Sequence, residues 1–203
     1  MKSFTRIARQ LNLTAVAAVA LAAVALPQAA QAVLAVGQTA PAFELPDLDG
    51  KTVSLAAFRG KTVVLEWINP NCPVSRDYAE RKVMSTTAAA HPAVVWLAIN
   101  STNRTHGDFV APAAHKAYNQ KNGIAYPVLY DSAGDTGRAY DAKTTPHMFV
   151  IDAAGKVVYN GAIDSGPGAS TVNYVDAALT ALAAGKSPHP STTKPMGCSV
   201  KYA

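Results

Sequence analysis

Cysteine is scarce in this chain. The 203 residues include only two cysteines, Cys72 and Cys198. No zinc-finger spacing can be assembled from two cysteines placed so far apart. A vicinal Cys-x-x-Cys dithiol is excluded as well, because Ser75 stands where its second cysteine would be. Any two-thiol redox cycle within the chain must therefore use Cys72 together with Cys198.

The N-terminal apolar run is too short for a typical membrane span. It extends from Leu13 to Leu26, about 14 residues, whereas a helix needs roughly 20 to cross a bilayer. Lys2, Arg6 and Arg9 precede it, and Ala30-Gln31-Ala32 follows it. This is the pattern of a secretory signal peptide. We predict that residues 1–32 are a signal peptide cleaved after Ala32 and that the mature protein is periplasmic; the chain would contact a membrane only if this segment stayed uncleaved.

A strongly basic surface is also lacking once the leader is set aside. The formal net charge is +5, and it falls to +2 without residues 1–32, which hold three basic and no acidic side chains. No basic stripe or lysine and arginine patch with interleaved aromatics remains, so nucleic-acid binding is not expected. About 170 residues suffice for one domain with a sizeable core. We assign residues 33–185 to that domain and residues 186–203, which carry Cys198, to an extended tail.

Alternation and punctuation along the chain predict a strand–helix–strand unit followed by a hairpin and a helix. Asp49-Gly50 marks a turn in an N-terminal hairpin, and two apolar runs read as strands covered on both faces. A helix between these strands implies a parallel pair with a right-handed crossover. The predicted strands are 51–55, 62–68, 93–99, 126–130, 148–152 and 156–163, and the predicted helices are 73–86, 108–121, 133–141 and 171–184.

Cys72 follows the second predicted strand and opens the first predicted helix. A helix start presents unpaired N–H groups and the positive end of the helix dipole, which lowers the pKa of a thiol placed there. A purely structural disulfide is the alternative, since a bridge closing so long a loop would stabilise an exported protein by up to about 5 kcal/mol. The strand-to-helix turn followed by Pro73 favours redox catalysis, because a structural bridge needs neither feature.

Three separated motifs carry a family resemblance. They are Cys72-Pro73-Val74-Ser75 after its strand, Thr144-Thr145-Pro146-His147-Met148-Phe149-Val150-Ile151-Asp152, and the Ala153-Ala154-Gly155 turn. With them the chain resembles the thioredoxin-fold redoxins, and most closely the alkyl hydroperoxide reductase/thiol-specific antioxidant (AhpC/TSA) group with its exported thiol-disulfide oxidoreductase relatives. The resemblance covers about Val36 to Gly185. It implies an α/β thioredoxin-like fold: a central mixed sheet flanked by helices, with an N-terminal β-hairpin and an extended C-terminal tail.

The resemblance also implies roles for individual residues. Cys72 would be the nucleophile, and Cys198 would resolve its adduct by forming Cys72–Cys198, within one chain or between subunits. Pro146 would follow a cis peptide bond, and Thr145 would offer its backbone to an extended substrate, with Pro73 on the same substrate side. The implied partners are a protein disulfide or peroxide substrate and a thiol reductant protein. No cofactor is implied, and the oligomeric state is left open.

The departures from the resemblance bear on peroxidase chemistry. Peroxiredoxins carry a Pro-x-x-x-Thr-x-x-Cys motif, whereas this chain has Leu65 and Asn69 at the proline and threonine positions. Their active-site arginine has no clear counterpart, since Thr145-Pro146 occupies the corresponding stretch. The expectation is therefore an oxidoreductase with antioxidant character, without the usual peroxidase residues.

Two further side chains near Cys72 have alternative interpretations. Glu66 has the spacing of the buried acid that accepts a proton in thioredoxins, and burial would raise its pKa into a useful range. Equally, Glu66 could lie on an exposed face or pair with a lysine. The hydroxyl of Ser75 could either hydrogen-bond the thiolate or cap the helix.

A non-catalytic function is the competing class. Cys72, His147, Met148 and Cys198 could together bind copper(I), which prefers soft ligands and imidazole. Alternatively, the fold could be a scaffold held closed by a structural Cys72–Cys198 bridge. The remaining histidines show no metal-binding spacing, so the enzymatic interpretation assigns no metal site.

Overall fold

The computed structural model describes residues 34–168 and 170–202. The predicted signal peptide, residues 1–32, lies outside them. The strands are β1 Glu44–Pro46, β2 Thr52–Ser54, β3 Val63–Trp67, β4 Val95–Asn100, β5 Val128–Tyr130, β6 Thr144–Thr145, β7 His147–Ile151, β8 Val157–Gly161 and β9 Cys198–Ser199. The helices are α1 Pro73–Glu80, α2 Val83–Ala90, α3 Pro112–Asn122, α4 Asp135–Ala139 and α5 Tyr174–Ala183.

Five strands form a central mixed sheet in the order β5-β4-β3-β7-β8. Strand β3 is parallel to β4 and antiparallel to β7, and β7 and β8 form an antiparallel hairpin. Strands β1 and β2 make the predicted N-terminal hairpin. This order, with helices packed on the sheet, confirms the predicted thioredoxin-like fold.

The central strand β3 is buried along its whole length because both faces of the sheet are covered. On one face Leu65 and Trp67 pack with the N-terminal segment and the region of α4. On the other face Val64 packs with side chains of α1, α2 and α5. The uninterrupted apolar character of β3 follows from this double burial.

The single helix predicted over residues 73–86 is wrong in one respect, since two helices cover this stretch. Lys82 has a φ of 58°, in the left-handed region, and its backbone separates α1 from α2. The helix predicted to begin at residue 108 instead begins at Pro112. Proline is tolerated at the first helical position because the N–H that it lacks would have no partner within the helix.

The C-terminal tail packs against the domain. Strand β9 pairs antiparallel with β6, with Thr145 opposite Cys198 and Thr144 opposite Ser199. A prediction of an extended arm from composition alone missed this pairing. Among the helices in residues 34–168 and 170–202, none has the length and apolar character needed to cross a membrane.

Candidate active site

Cys72 caps the N-terminus of α1. The chain leaves β3 through a short turn, and Pro73 occupies the first turn of the helix that follows. The backbone N–H of Ser75 donates to Sγ of Cys72 at 3.5 Å. Cys72 is only 2% exposed. The helix start therefore directs a backbone donor at the sulfur, which favours the thiolate when the cysteine is reduced, whereas shielding from water opposes it.

The turn before Cys72 is fixed by the side chain of Asn69. Its Oδ1 accepts a hydrogen bond from the backbone N–H of Asn71 at 2.8 Å, and its Nδ2 donates to Oγ1 of Thr102 at 3.0 Å. The backbone N–H of Cys72 donates to the carbonyl of Asn69 at 3.0 Å. Asn69 is itself buried. These bonds link the turn to the loop after β4 and set the position from which the sulfur projects.

Cys72 and Cys198 form a disulfide within the chain, with their Cα atoms 5.9 Å apart. Cys72 is buried, whereas Cys198 is half-buried. The two cysteines are separated by 126 positions in the sequence, and the tail brings Cys198 to the start of α1. Of the two arrangements that the sequence left open, this structure contains the one within a single chain.

The Thr145–Pro146 peptide bond is cis, as predicted. The carbonyl oxygen of Thr145 lies 3.0 Å from Sγ of Cys72. Thr145 is also the residue that pairs with Cys198. The structure thus brings Cys72, Cys198, Thr145 and Pro146 together at one place, with Pro73 at the adjoining helix start.

Glycine is required where the tail meets β6. A Cβ atom added to Gly197 would overlap the carbonyl oxygen of Thr145 and would lie 2.6 Å from its carbonyl carbon. Both are backbone atoms, which cannot rotate aside. The backbone of the tail therefore lies directly on the backbone of Thr145, immediately before the disulfide.

Two further anchors hold the tail on either side of Cys198. Oγ1 of Thr193 accepts from the backbone N–H of Ala162 at 2.9 Å and lies 2.6 Å from the hydroxyl of Tyr159. Beyond the disulfide, the hydroxyl of Tyr202 donates to the carbonyl of Ala142 at 2.7 Å. The tail is thus a strap fixed before and after its cysteine.

Glu66 is buried, which excludes the exposed position that was one alternative for it. Its Oε2 accepts hydrogen bonds from the hydroxyl of Tyr126 at 2.7 Å and from Nε1 of Trp96 at 3.0 Å. Burial raises the pKa of Glu66 from 4.5 to about 7, and the two hydrogen bonds offset part of that rise. The carboxyl therefore changes charge near neutral pH, a suitable range for proton transfer.

Ser75 and His147 differ from what the sequence suggested. The contact of Ser75 with the sulfur comes from its backbone N–H, and its buried hydroxyl has no hydrogen-bond partner within the described part of the chain. His147 is buried, with Nε2 2.7 Å from Oδ1 of Asn160 and Nδ1 accepting from the backbone N–H of Lys143. Burial lowers the pKa of His147 to about 4.

The four side chains proposed for copper(I) do not form a ready site. Both ring nitrogens of His147 are engaged, Met148 lies in the apolar core, and the two cysteines are bonded to each other. Across residues 34–168 and 170–202, no group of three or more histidine, cysteine or acidic side chains is placed to hold a metal ion.

Sequence reasoning missed several residues that build this site. The local sequence presents Asn69 only as a departure from a peroxiredoxin motif, and it does not mark Trp96. Tyr126, Thr193 and Gly197 act through contacts with residues distant in sequence, so no local pattern marks them. The Asn-Pro-Asn turn before the cysteine is the one local signal that could have indicated Asn69, because asparagine side chains often bond the backbone two residues on.

Comparison with known proteins places this geometry among thiol proteins. Residues 36–160 match the AhpC/TSA family. The chain is 29% identical over 127 residues to the thiol-disulfide oxidoreductase ResA of Bacillus thuringiensis subsp. konkukian, covering 61% of this chain and 67% of that protein. It is 28% identical over 139 residues, 60% of this chain and 81% of the other, to a Mycobacterium tuberculosis protein with a provisional peroxiredoxin name. The crystal structure of an uncharacterized conserved protein from Geobacillus kaustophilus matches with a TM-score of 0.76 at 28% identity, over 84% of this chain and 94% of that one.

Proposed function

The chain belongs to the AhpC/TSA family, and we propose that it is a thiol-disulfide oxidoreductase with Cys72 as nucleophile and Cys198 as resolving cysteine. The observation that carries the proposal is the disulfide between a helix-capping cysteine and a cysteine on a docked strap. Family, relatives and cysteine pair agree on an oxidoreductase role.

The proposed reaction is two successive thiol-disulfide exchanges. The Cys72 thiolate attacks one sulfur of a substrate disulfide, a new S–S bond forms, and the other substrate sulfur leaves as a thiolate. The Cys198 thiolate then attacks Sγ of Cys72, which expels the second substrate thiolate and forms Cys72–Cys198. Two electrons pass from the protein to the substrate. A thiol reductant protein then restores the dithiol: its thiolate attacks Sγ of Cys198 and expels the Cys72 thiolate, and its second thiol resolves the mixed disulfide on Cys198.

Other residues at the site receive supporting roles in this proposal. Glu66, with a pKa of about 7, exchanges protons with the thiols as they form and ionise. Thr145 and Pro146, with Pro73 at the adjoining helix start, form the surface on which the substrate lies. Ser75 contributes its backbone N–H to the sulfur.

Peroxide reduction is the second candidate, favoured by the mycobacterial relative. In that reaction the Cys72 thiolate attacks a peroxide oxygen, the O–O bond breaks, and a sulfenic acid and an alcohol or water form. Cys198 then condenses with the sulfenic acid and releases water. Against this candidate, Sγ of Cys72 accepts a hydrogen bond from the backbone N–H of Ser75 and lies 3.0 Å from the carbonyl oxygen of Thr145, both of them backbone groups, and Arg76 is exposed.

A purely structural bridge is the non-catalytic alternative. It predicts a disulfide that resists reduction and a Cys72 thiol of ordinary or high pKa. The half-buried position of Cys198 argues for the catalytic proposal, because it gives a reductant access to one sulfur while Cys72 remains the leaving group.

Export is part of the proposal. The basic, apolar and small-residue segments of residues 1–32 support cleavage after Ala32 and a periplasmic location. Mass determination of the protein recovered from a periplasmic fraction tests this directly. A mature N-terminus at Val33 is expected, and a full-length mass in the membrane fraction would contradict it.

Trapping the intermediate tests the proposed chemistry. Reduced Cys198→Ser protein is mixed separately with a peptide disulfide and with hydrogen peroxide, and the adducts are identified by mass spectrometry. We expect a mixed disulfide on Cys72 with the peptide, formed faster than any sulfenic acid. Reduced Cys72→Ser protein should form neither product. An unreactive Cys72, or exchange that persists in Cys72→Ser, would overturn the proposal.

A further inference from the structure

The way in which the tail packs on strand β6 bears on which substrates the site accepts. We propose that strand β6, Thr144–Thr145, where the family resemblance places an extended substrate, selects glycine at the residue before the cysteine of a partner polypeptide. The proposal rests on the proposed function, because it describes the disulfide substrate that Cys72 attacks. The tail, which carries Gly197-Cys198, occupies this edge in the oxidised protein and serves as the template for the partner.

Backbone pairing defines where the partner cysteine lies. Thr145 pairs with Cys198 and Thr144 with Ser199 in an antiparallel arrangement. The same Cys198 is bonded to Cys72. A partner segment with this register therefore places its cysteine sulfur within bonding reach of Cys72. One edge pairs with one strand, so the partner enters when the Cys72–Cys198 bond is open and the tail has moved aside.

Contact with the backbone of Thr145 supplies the selectivity. A Cβ atom at the position of Gly197 would overlap the Thr145 carbonyl oxygen, would lie 2.6 Å from its carbonyl carbon and 3.1 Å from the nitrogen of Pro146. No side-chain rotation relieves these contacts, since every atom belongs to the backbone. A residue other than glycine must shift the strand and misplace the sulfur.

The positions on either side of Gly197-Cys198 carry no comparable restriction. Met196 is 55% exposed, and Ser199 is exposed as well. The site therefore reads a Gly-Cys pair and tolerates variation around it.

Peptide kinetics test this selectivity. The peptides copy the tail as Met-Gly-Cys-Ser-Val, or replace its glycine as Met-Ala-Cys-Ser-Val, each with its cysteine joined by a disulfide to an aromatic thiol. The Cys72 thiolate of reduced Cys198→Ser protein attacks the peptide sulfur, the S–S bond to the aromatic thiol breaks, and the coloured aromatic thiolate leaves with the electron pair. Because the tail competes equally with both peptides, the ratio of their rates reports docking.

We expect the glycine peptide to react about tenfold faster than the alanine peptide, as overpacking against fixed atoms predicts. A matched control pair changes the preceding position instead, comparing Met-Gly-Cys-Ser-Val with Ala-Gly-Cys-Ser-Val. These two should react at about the same rate, since the residue they vary corresponds to exposed Met196.

The possible results distinguish a failure of the glycine selectivity from a failure of the proposed thiol-disulfide function. Equal, rapid reaction of the glycine and alanine peptides would overturn the glycine selectivity and leave the thiol-disulfide function standing. An aromatic disulfide lacking any peptide serves as the probe of Cys72 itself. Failure of that small disulfide to react would overturn the proposed function.

Discussion

Cys198 pairs with Thr145, whose carbonyl oxygen lies 3.0 Å from the sulfur of Cys72. The pairing of β9 with β6 thus brings the two cysteines together beside Thr145. The tail is held there by hydrogen bonds and by a glycine contact as well as by the disulfide. In the disulfide state, the contacts that hold the tail therefore also hold Cys198 beside Cys72.

The first prediction concerns the acidity of Cys72. In reduced Cys198→Ser protein, Cys72 is the only thiol, and its pKa should lie below the free value of about 8.5 because α1 begins there and Ser75 donates its N–H. Thiolate absorbance followed against pH measures it, with Cys72→Ser/Cys198→Ser protein as the blank. A pKa at or above the free value would mean that burial beside the Thr145 carbonyl outweighs the helix start, as a structural bridge requires.

The second prediction concerns the pH dependence of stability through Glu66. Between pH 4.5 and about 7 the unfolded carboxyl is ionised while the folded one keeps its proton, so the folded state binds more protons. Stability therefore falls as pH rises through this window. Glu66→Gln has no carboxyl at this position and does not lose stability in this way. Between pH 4.5 and about 7, the free energy of unfolding of wild type should therefore fall by about 3 kcal/mol relative to that of Glu66→Gln.

Urea unfolding of the oxidised proteins across that pH range provides the measurement for Glu66→Gln. Glu80→Gln, at an exposed position on α1, is the matched control and should run parallel to wild type. If the curves of Glu66→Gln and wild type also ran parallel, the raised pKa of Glu66 would be wrong.

The third prediction concerns the turn that positions Cys72. Asn69→Ala removes a buried donor to Thr102 and a partly buried acceptor for the backbone N–H of Asn71, which is itself exposed. We expect a loss of about 2 kcal/mol in the free energy of unfolding. Exchange at Cys72 should also slow, because the sulfur is no longer held in one place.

A companion variant sharpens the test of Asn69. Asn71→Ala removes only a 3.3 Å bond to the carbonyl of Asp108 at the surface, and its stability should stay within about 0.5 kcal/mol of wild type. Equal losses in Asn69→Ala and Asn71→Ala would show that the turn does not depend on Asn69.

Local patterns predicted the parts of this structure that depend on neighbours in sequence. The apolar run of β3, the helix start at Cys72 and the β7–β8 hairpin each carry their own signal within about ten residues. The site follows from them, because the end of β3 and the segment before β7 meet in this fold. The cis bond at Pro146 came from the family resemblance, and the pairing of the two cysteines followed from there being only two in the chain.

Features that depend on distant residues could not be predicted in the same way. The sequence does not show whether the side chain of Glu66 is buried or exposed. In the structure it is buried and accepts hydrogen bonds from Tyr126 and Trp96, which are distant in sequence. Lys82 adopts a left-handed backbone that lysine rarely selects by itself. The tail has almost no regular structure, and its position follows from contacts made one at a time with Thr145, Ala162 and Ala142.

The last prediction concerns how the strap sets the stability of the disulfide. The hydroxyl of Tyr159 donates to the carbonyl of Ala162 at 2.6 Å, so the Thr193 hydroxyl must donate to Tyr159 while accepting from the Ala162 N–H. Thr193→Val keeps the shape and leaves that N–H without its partner, at a cost of about 1–3 kcal/mol. If the tail is docked mainly in the oxidised form, the lost hydrogen bond destabilises the oxidised protein relative to the reduced protein.

The reduction potential of Cys72–Cys198 should then become less negative by about 20–60 mV in Thr193→Val, since about 30 mV corresponds to 1.4 kcal/mol for two electrons. Equilibration with a glutathione or dithiothreitol buffer measures it. Lys194→Ala, at an exposed neighbour, should leave the potential within about 10 mV of wild type. An unchanged potential in a destabilised Thr193→Val protein would mean that the strap stays docked after reduction. The partner segment would then have to displace a bound tail rather than meet an open edge.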